Sequence, residues 1–343
     1  MAYKVILGNI GREKWEKLAS QFDDYSIYQT WAYQQVRVEG KGQNLSRVVI
    51  LDGNNNVVTM CHVRISKIWP IGLRVGYVQG GPLFRRKENY IKCTADALRE
   101  LHDVYIPHKV DVLRLAPNVR DDEIGRSFAE MLQLSGFELI KAIKPYRTIA
   151  MRADRSEDEI MKGLRKSFRR DVRYAQKAGV ETRDGTGEEF CRIIEELYLV
   201  VKGRKGFKGL DPAEFTKTQR LLSAAEKINI IVAYHKGEPV AAHMASNLGD
   251  TSVVLLAASN EKGYTCFASY LVWWRGAVSA HRAGMKWYDL GGIDPGKVPG
   301  VSRFKLRMGG TEYYHIGLFA AYRNWGVRKI WRNAELLYSL VKT

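Results

Sequence analysis

The chain passes twice through one order of elements: helices, an antiparallel hairpin, then strand, helix and strand. This repetition limits the possible folds more than composition does. In the first pass the spacing predicts a strand at Lys4–Gly8 and helices around Glu13–Gln21 and Thr30–Val38. A hairpin follows, Ser46–Leu51 with Val57–Ile65, turned by Asp52-Gly53-Asn54-Asn55-Asn56, whose residue types suit a tight reversal. Leu73–Val78 reads as a strand, Lys92–Val104 as a helix, Val110–Leu115 as a strand and Asp121–Ser135 as a helix. A strand at Tyr146–Met151 is expected to close the first domain. In the second pass, helices at Glu157–Ala178, Gly187–Lys202 and Pro212–Ala225 precede a hairpin, Ile228–Tyr234 with Pro239–Asn247. The strand Ser252–Ala257, the helix Ala268–Ala283 and the short strand Trp287–Asp289 complete it. Two α/β domains of one topology account for the pattern, and 343 residues suit two domains of ordinary size.

Charge narrows the function. Lys and Arg number 54 against 37 Asp and Glu, a formal balance of +17, which favours polyanionic partners such as RNA, nucleotide phosphates, a cofactor pyrophosphate or an acidic membrane surface. The charge clusters in Ser156–Gly179. Ser156 and Glu159 form a capping-box pattern, and Gly179 is a natural stop. Ile160, Leu164, Phe168 and Val172 recur at four-residue steps and predict a buried stripe. Arg165, Arg169 and Arg173 form a second such row beside Lys162 and Lys166. With Asp171 the sole acid between Lys162 and Lys177, this face is suited to phosphate oxygens.

Other chemistries find little support. Cys61, Cys93, Cys191 and Cys266 lie too far apart for a CxxC motif and are expected as buried thiols. The histidines never approach HExxH spacing, so no metal site is expected. No P-loop and no GxSxG elbow occur. Arg37-Val38-Glu39-Gly40-Lys41-Gly42 fits the RxxGxG pattern of acetyl-coenzyme A enzymes. It lies between a helix and a strand, however, whereas a pyrophosphate cradle needs a following helix. No apolar run reaches the roughly 18 residues of a membrane span, and the first residues lack a secretion-signal pattern. A cytoplasmic protein without stable membrane insertion is expected.

The C-terminal third carries two motifs: Tyr288-Asp289-Leu290-Gly291-Gly292-Ile293-Asp294, then Arg303-Phe304-Lys305-Leu306-Arg307-Met308-Gly309-Gly310. Together they resemble the YD-x-GG-I and FK-x-x-x-GG signatures of the Fem family of aminoacyltransferases. Arg169, Arg173, Ala175, Gly179 and Val180 resemble that family's R-x-x-(I/V)-R-x-A-x-x-x-G-V segment. Gln29-Thr30-Trp31 with Arg37, and Gly80-Gly81-Pro82-Leu83, resemble two upstream elements. The resemblance implies an α/β (α+β) fold of two tandem GNAT-like domains, each a mixed sheet with flanking helices. Expected boundaries are 1–152 and 153–317, with 318–343 returning to the first domain and Ala320–Leu340 as its helix.

The resemblance also implies an activity. The family moves an aminoacyl group from aminoacyl-tRNA, as co-substrate, to an amine of a peptidoglycan precursor, forming an amide. No further cofactor is implied. Carried over residue by residue, Arg37 and Arg169 hold the acceptor diphosphate, with Trp31 and Arg173 beside them as substrate-binding residues. Phe304 and Lys305 lie at the aminoacyl end, where Lys305 is the catalytic candidate for stabilising an oxyanion. Arg165, Lys162 and Lys166 are the tRNA-binding candidates. Tyr288, Asp289, Gly291 and Gly292 are expected as structural support, Asp289 by capping the Gly291-Gly292 turn. The pattern departs from the family at Leu113-Arg114-Leu115-Ala116-Pro117, where Ala116 replaces an acid. That weakens the muramyl-peptide acceptor and removes a candidate base. Two alternatives stay open: an N-acyltransferase using acyl-coenzyme A or an acyl carrier, and a non-catalytic RNA-binding module.

Overall fold

The computed structural model describes residues 3–86, 90–91, 93–205 and 211–341. The chain divides into two compact units, Met1–Tyr146 with Tyr314–Thr343, and Arg147–Tyr313. Both are mixed α/β structures built on a seven-stranded sheet.

The first sheet runs in the order Lys4–Leu7, Asn44–Leu51, Val57–Ile68, Leu73–Gln79, Val112–Ala116, Phe319–Tyr322, Glu138–Leu139. The second runs Glu181–Gly185, Asn229–His235, Glu238–Leu248, Thr251–Ser259, Trp287–Gly292, Arg147–Arg152, Thr311–Tyr314. The hairpins fall where the turn chemistry places them. In each sheet the fourth and fifth strands are parallel, and the helix-containing segment between them crosses back over the sheet. Apolar faces of Ala95–Tyr105 and Glu123–Leu134 fill the first core, through Leu98, Leu101, Phe128 and Leu132. Lys92, the expected start of the former helix, lies outside the described residues.

Three expectations are corrected. The strand at 147–152 does not close the first sheet. It pairs antiparallel with Trp287–Gly292 in the second, Tyr288 opposite Met151 and Asp289 opposite Ala150. The first sheet takes its sixth strand from Phe319–Tyr322, inside the stretch read as helix. The C-terminal helix therefore starts only at Trp325. Apolar Phe319-Ala320-Ala321 fits either state, and the buried slot beside Val112–Ala116 decides it.

The third correction is the basic helix, which is two helices, Glu157–Gly163 and Lys166–Lys177, with Leu164 and Arg165 extended between them. Gly163 is a poor helix residue, and the break keeps all four stripe residues buried: Ile160, Leu164, Phe168 and Val172. Ser156 and Glu159 form the capping box at the front of the first helix. All four cysteines are buried, as expected of small apolar side chains.

Candidate functional site

The site in the second unit begins at the end of a strand ladder. Thr251–Val253 pair in parallel with Trp287–Asp289, and the ladder stops there. Beyond this point both strands continue without further pairs between them, at the carboxyl ends where α/β sheets accept ligands. The YD-x-GG-I motif begins on this stretch of the second strand.

Asp289 is nearly inaccessible, and its oxygens are committed. Oδ1 accepts from Thr148 Oγ1 at 2.6 Å and from the Gly291 amide at 2.7 Å, and Oδ2 accepts from the Tyr313 hydroxyl at 2.6 Å. It joins three strands, and the Gly291-Gly292 pair expected as a turn is instead a bulge inside Trp287–Gly292, where Gly291 takes φ +77°. Tyr288 points into the core, its hydroxyl 2.6 Å from His243 Nε2. Burial pushes the His243 imidazole down to about 3, so this histidine is neutral at physiological pH. Gly276 admits the pair: a Cβ there would stand 2.5 Å from the Tyr288 hydroxyl and 2.8 Å from the His243 ring.

The FK-x-x-x-GG motif folds as the helix Pro299–Arg307 and the two glycines after it. Lys305 is 8% exposed, and Nζ donates to the Gly292 carbonyl at 2.9 Å. Its ammonium stands 5.8 Å from the Trp273 ring centroid. Burial lowers Lys305 to about 8, partly offset by the Asp289 charge. Near neutral pH it is a desolvated cation, two of whose three donors have no partner among the described residues. Phe304 joins an aromatic cluster with Phe168, Tyr270 and Trp273, ring centroids 5.0–5.4 Å away. It therefore packs the helix that carries Lys305. Gly309 and Gly310 take φ +87° and +88°. A Cβ on either would stand 2.6 Å from a carbonyl oxygen, that of Gly163 or that of Ala150.

The two motif regions meet the basic helix directly. The Arg165 amide donates to the Arg307 carbonyl, and Arg307 bonds Asp171, Ser167 and Tyr270. Asp171 is buried, so the acid that interrupts the cationic run in sequence faces inward. Outward, Lys166, Arg170, Arg173 and Lys177 line an open groove with Ser167, Arg169 and Tyr174. Lys162 and Arg165 are also exposed. Arg169 is partly buried: Nη1 donates to the carbonyls of Lys162 and Leu164, both at 2.6 Å, bridging the helix break. One arm of this guanidinium is thus held by protein.

Trp31 and Arg37 belong to the first unit, on the helix Trp31–Val38, which Thr30 caps. The Arg47 guanidinium lies 3.4 Å from the Trp31 ring centroid, and His62 packs edge-on at 6.2 Å. His62 is fully buried, and desolvation with the Arg47 and Arg64 charges holds it well below its ordinary value. Arg37 is partly buried, and the RxxGxG look-alike connects this helix to the strand Asn44–Leu51. Sequence reasoning passed over His243, Trp273, Tyr270, Tyr313 and Arg47. His243 alone left a trace, as the single polar ring in the run Val240–Ala245.

The FemAB family model matches residues 212–329. Among solved structures, the chain is similar to FemX at 16% identity, covering 97% of this chain and 100% of that one with a TM-score of 0.82. It is also similar to a tandem GNAT protein from the clavulanic acid biosynthesis pathway, at 11% identity, 94% and 99% coverage and a TM-score of 0.51. A third similar structure is L-PGS from Bacillus licheniformis, at 12% identity, 88% and 89% coverage and a TM-score of 0.51. No curated protein sequence matches the chain. The family match spans about a third of the chain, and it and the shared fold support the resemblance to the Fem family and the expected α/β architecture of two sheet-based units.

Proposed function

We propose that this Fem-like protein is a transferase that forms an amide by moving an aminoacyl group from aminoacyl-tRNA to an amine acceptor. One observation carries the reading: a desolvated lysine and a cationic outer groove share one scaffold. The Arg165 amide bonds the Arg307 carbonyl two residues beyond Lys305, and Arg307 pairs with Asp171 of the basic helix. The groove attracts nucleic-acid phosphates, and the lysine bonds Gly292, beyond the last pair of the two parallel strands. The ester of a charged tRNA is already activated, so no nucleotide hydrolysis is needed.

In this reading the acceptor's neutral amine attacks the ester carbonyl. Lys305 stabilises the oxyanion that develops, its donors strengthened by exclusion of water. As the tetrahedral species collapses, the ester C–O bond breaks and a proton from the attacking nitrogen passes to the ribose oxygen, so a tRNA hydroxyl leaves and the amide remains. Asp289 holds the Gly291-Gly292 bulge whose carbonyl orients Lys305, and acts as a positioning residue. Arg37 and Trp31 in the first unit are proposed for the acceptor, with a peptidoglycan precursor or peptide as its class. The outer arm of Arg169 serves the acceptor's phosphates, Arg173 serves phosphates of the tRNA co-substrate, and Arg165, Lys162 and Lys166 join it on tRNA.

A second reading, transfer from acyl-coenzyme A, draws on the similar tandem GNAT protein of the clavulanic acid pathway, which is described in a form without AcCoA. One experiment separates the two. The protein is incubated with tRNA charged with labelled amino acids, or with labelled acyl thioesters, beside a pool of cell-wall and peptide amines. Label passing from tRNA to an amine is the expected result. Label passing only from the thioester replaces the first reading with the second.

A further inference from the structure

One end of the first unit presents apolar side chains that its core does not use. Trp69 is 84% and Ile71 47% exposed at the turn between Val57–Ile68 and Leu73–Gln79. Ile68 lies opposite Leu73, so both residues occupy the tip. Val75 lies beside Val112, and Val112 beside Tyr322. The hairpin tip and the end of Phe319–Tyr322 therefore share one end of the sheet, two strand spacings or roughly 10 Å apart. The chain leaving Tyr322 enters the C-terminal helix, where Trp325 and Ile330 are exposed. Beneath both elements, Ile68, Leu73, Val75, Val327 and Trp331 belong to one apolar cluster. The projecting side chains thus stand on an ordered base.

Cations surround them. Lys141, Arg323, Lys329 and Arg332 are exposed, and Arg328 lines the same hollow as Lys141 and Trp325. Asp111 pairs with Arg323 and Arg74, Glu138 with Arg328 and Arg332, and Glu335 with Arg114, so with Lys141 and Lys329 these three acids leave the end of the unit net positive. We propose that this end of the first unit docks on an anionic lipid bilayer. Indole rings favour the boundary between headgroups and acyl chains, and lysine and arginine meet lipid phosphates there. Exposed isoleucines at a projecting turn and on a helix offer nothing to RNA phosphates but lose water on entering a lipid interface. Among the described residues no helix is long and apolar enough to cross a membrane, so the contact is peripheral. The inference holds for either donor.

The test is co-sedimentation of the intact protein with vesicles of phosphatidylcholine alone or mixed with phosphatidylglycerol. Binding is expected to the mixed vesicles only and to weaken with added salt. Trp69→Ala with Ile71→Ser is expected to weaken it at least about tenfold through lost apolar burial, and Trp325→Ala, on a separate element, to weaken it independently. Unchanged melting curves establish that the variants fold, as their exposure predicts. Equal binding to both vesicle types, or variants that bind like the parent, overturns the proposal. Loss of tRNA binding with vesicle binding intact makes the patch an RNA surface and equally overturns it.

Discussion

Arg307 Nη2 lies 2.6 Å from Asp171 Oδ2, joining the helix that carries Lys305 to the basic helix 136 residues earlier. Asp171 is buried, whereas about a quarter of the Arg307 side chain is exposed. Arg170 also pairs with Asp171, so removing the acid leaves two guanidiniums, both of which can still reach water. Asp171→Ala is therefore expected to cost about 1–3 kcal/mol, less than a fully buried pair. Urea denaturation checks this. A loss below a few tenths of a kcal/mol would mean that the pair does not hold the two helices together.

Lys305 predicts a pH signature. Burial lowers it to about 8, so the ammonium predominates below that pH and is lost above it. A lysine stabilises an oxyanion chiefly through its positive charge, so turnover should fall as pH rises through about 8. A general base would instead make turnover rise there. Lys305→Met should lower turnover on the order of 100- to 1000-fold and abolish the alkaline limb. Near-parental turnover in that variant rules out the assigned role.

Asp289 receives three donors, from Thr148, Gly291 and Tyr313. Asp289→Ala strands the Thr148 hydroxyl and the Gly291 amide in the interior and takes an acceptor from the part-buried Tyr313, and is expected to destabilise the protein by roughly 2–3 kcal/mol. Asp289→Asn keeps an acceptor for the Gly291 bulge and should lose less. Thermal melts of the two variants make the comparison. Equal losses would indicate that charge, and not the count of hydrogen bonds, sets the effect.

Gly276 reverses the usual helix rule. An exposed Gly→Ala change in a helix interior gains up to about 1 kcal/mol. Here the new methyl would meet the Tyr288 hydroxyl at 2.5 Å, and that hydroxyl is held by His243. Gly276→Ala is expected to destabilise by about 1–3 kcal/mol through overpacking. A raised melting temperature would show that Tyr288 and His243 yield without strain.

Much of this was legible in sequence because it rests on local rules. The Asp52–Asn56 turn, the Ser156–Glu159 cap and the four-residue apolar stripe each specify their own structure. The YD-x-GG-I and FK-x-x-x-GG motifs meet where Lys305 bonds the Gly292 carbonyl, and their glycines answer strict geometric needs. What escaped depends on distant partners. The segment Phe319–Tyr322 is a strand because a sheet slot awaits it, and 147–152 joins the sheet that Trp287–Gly292 offers. Periodicity could not show that Leu164 and Arg165 break the basic helix, because the break preserves the stripe. It also could not show that Arg169 spends one arm on its own backbone.

The outward cations lead to the last prediction. Arg165 and Arg173 are exposed and have no ion pair among the described residues, whereas Arg307 and Arg169 are tied to protein. If Arg165 and Arg173 neutralise tRNA phosphates, each releases counterions on binding. The slope of log affinity against log salt should then shrink by about 1 for each one removed. Arg165→Gln with Arg173→Gln should bind tRNA more weakly at low salt and converge toward the parent as salt rises. Both side chains lie outside the core, so the melting temperature should stay close to the parental value. Filter binding across a salt series supplies the slopes. A double variant with the parental slope would place the tRNA elsewhere on the protein, and the groove along Lys166–Lys177 would lose its assignment.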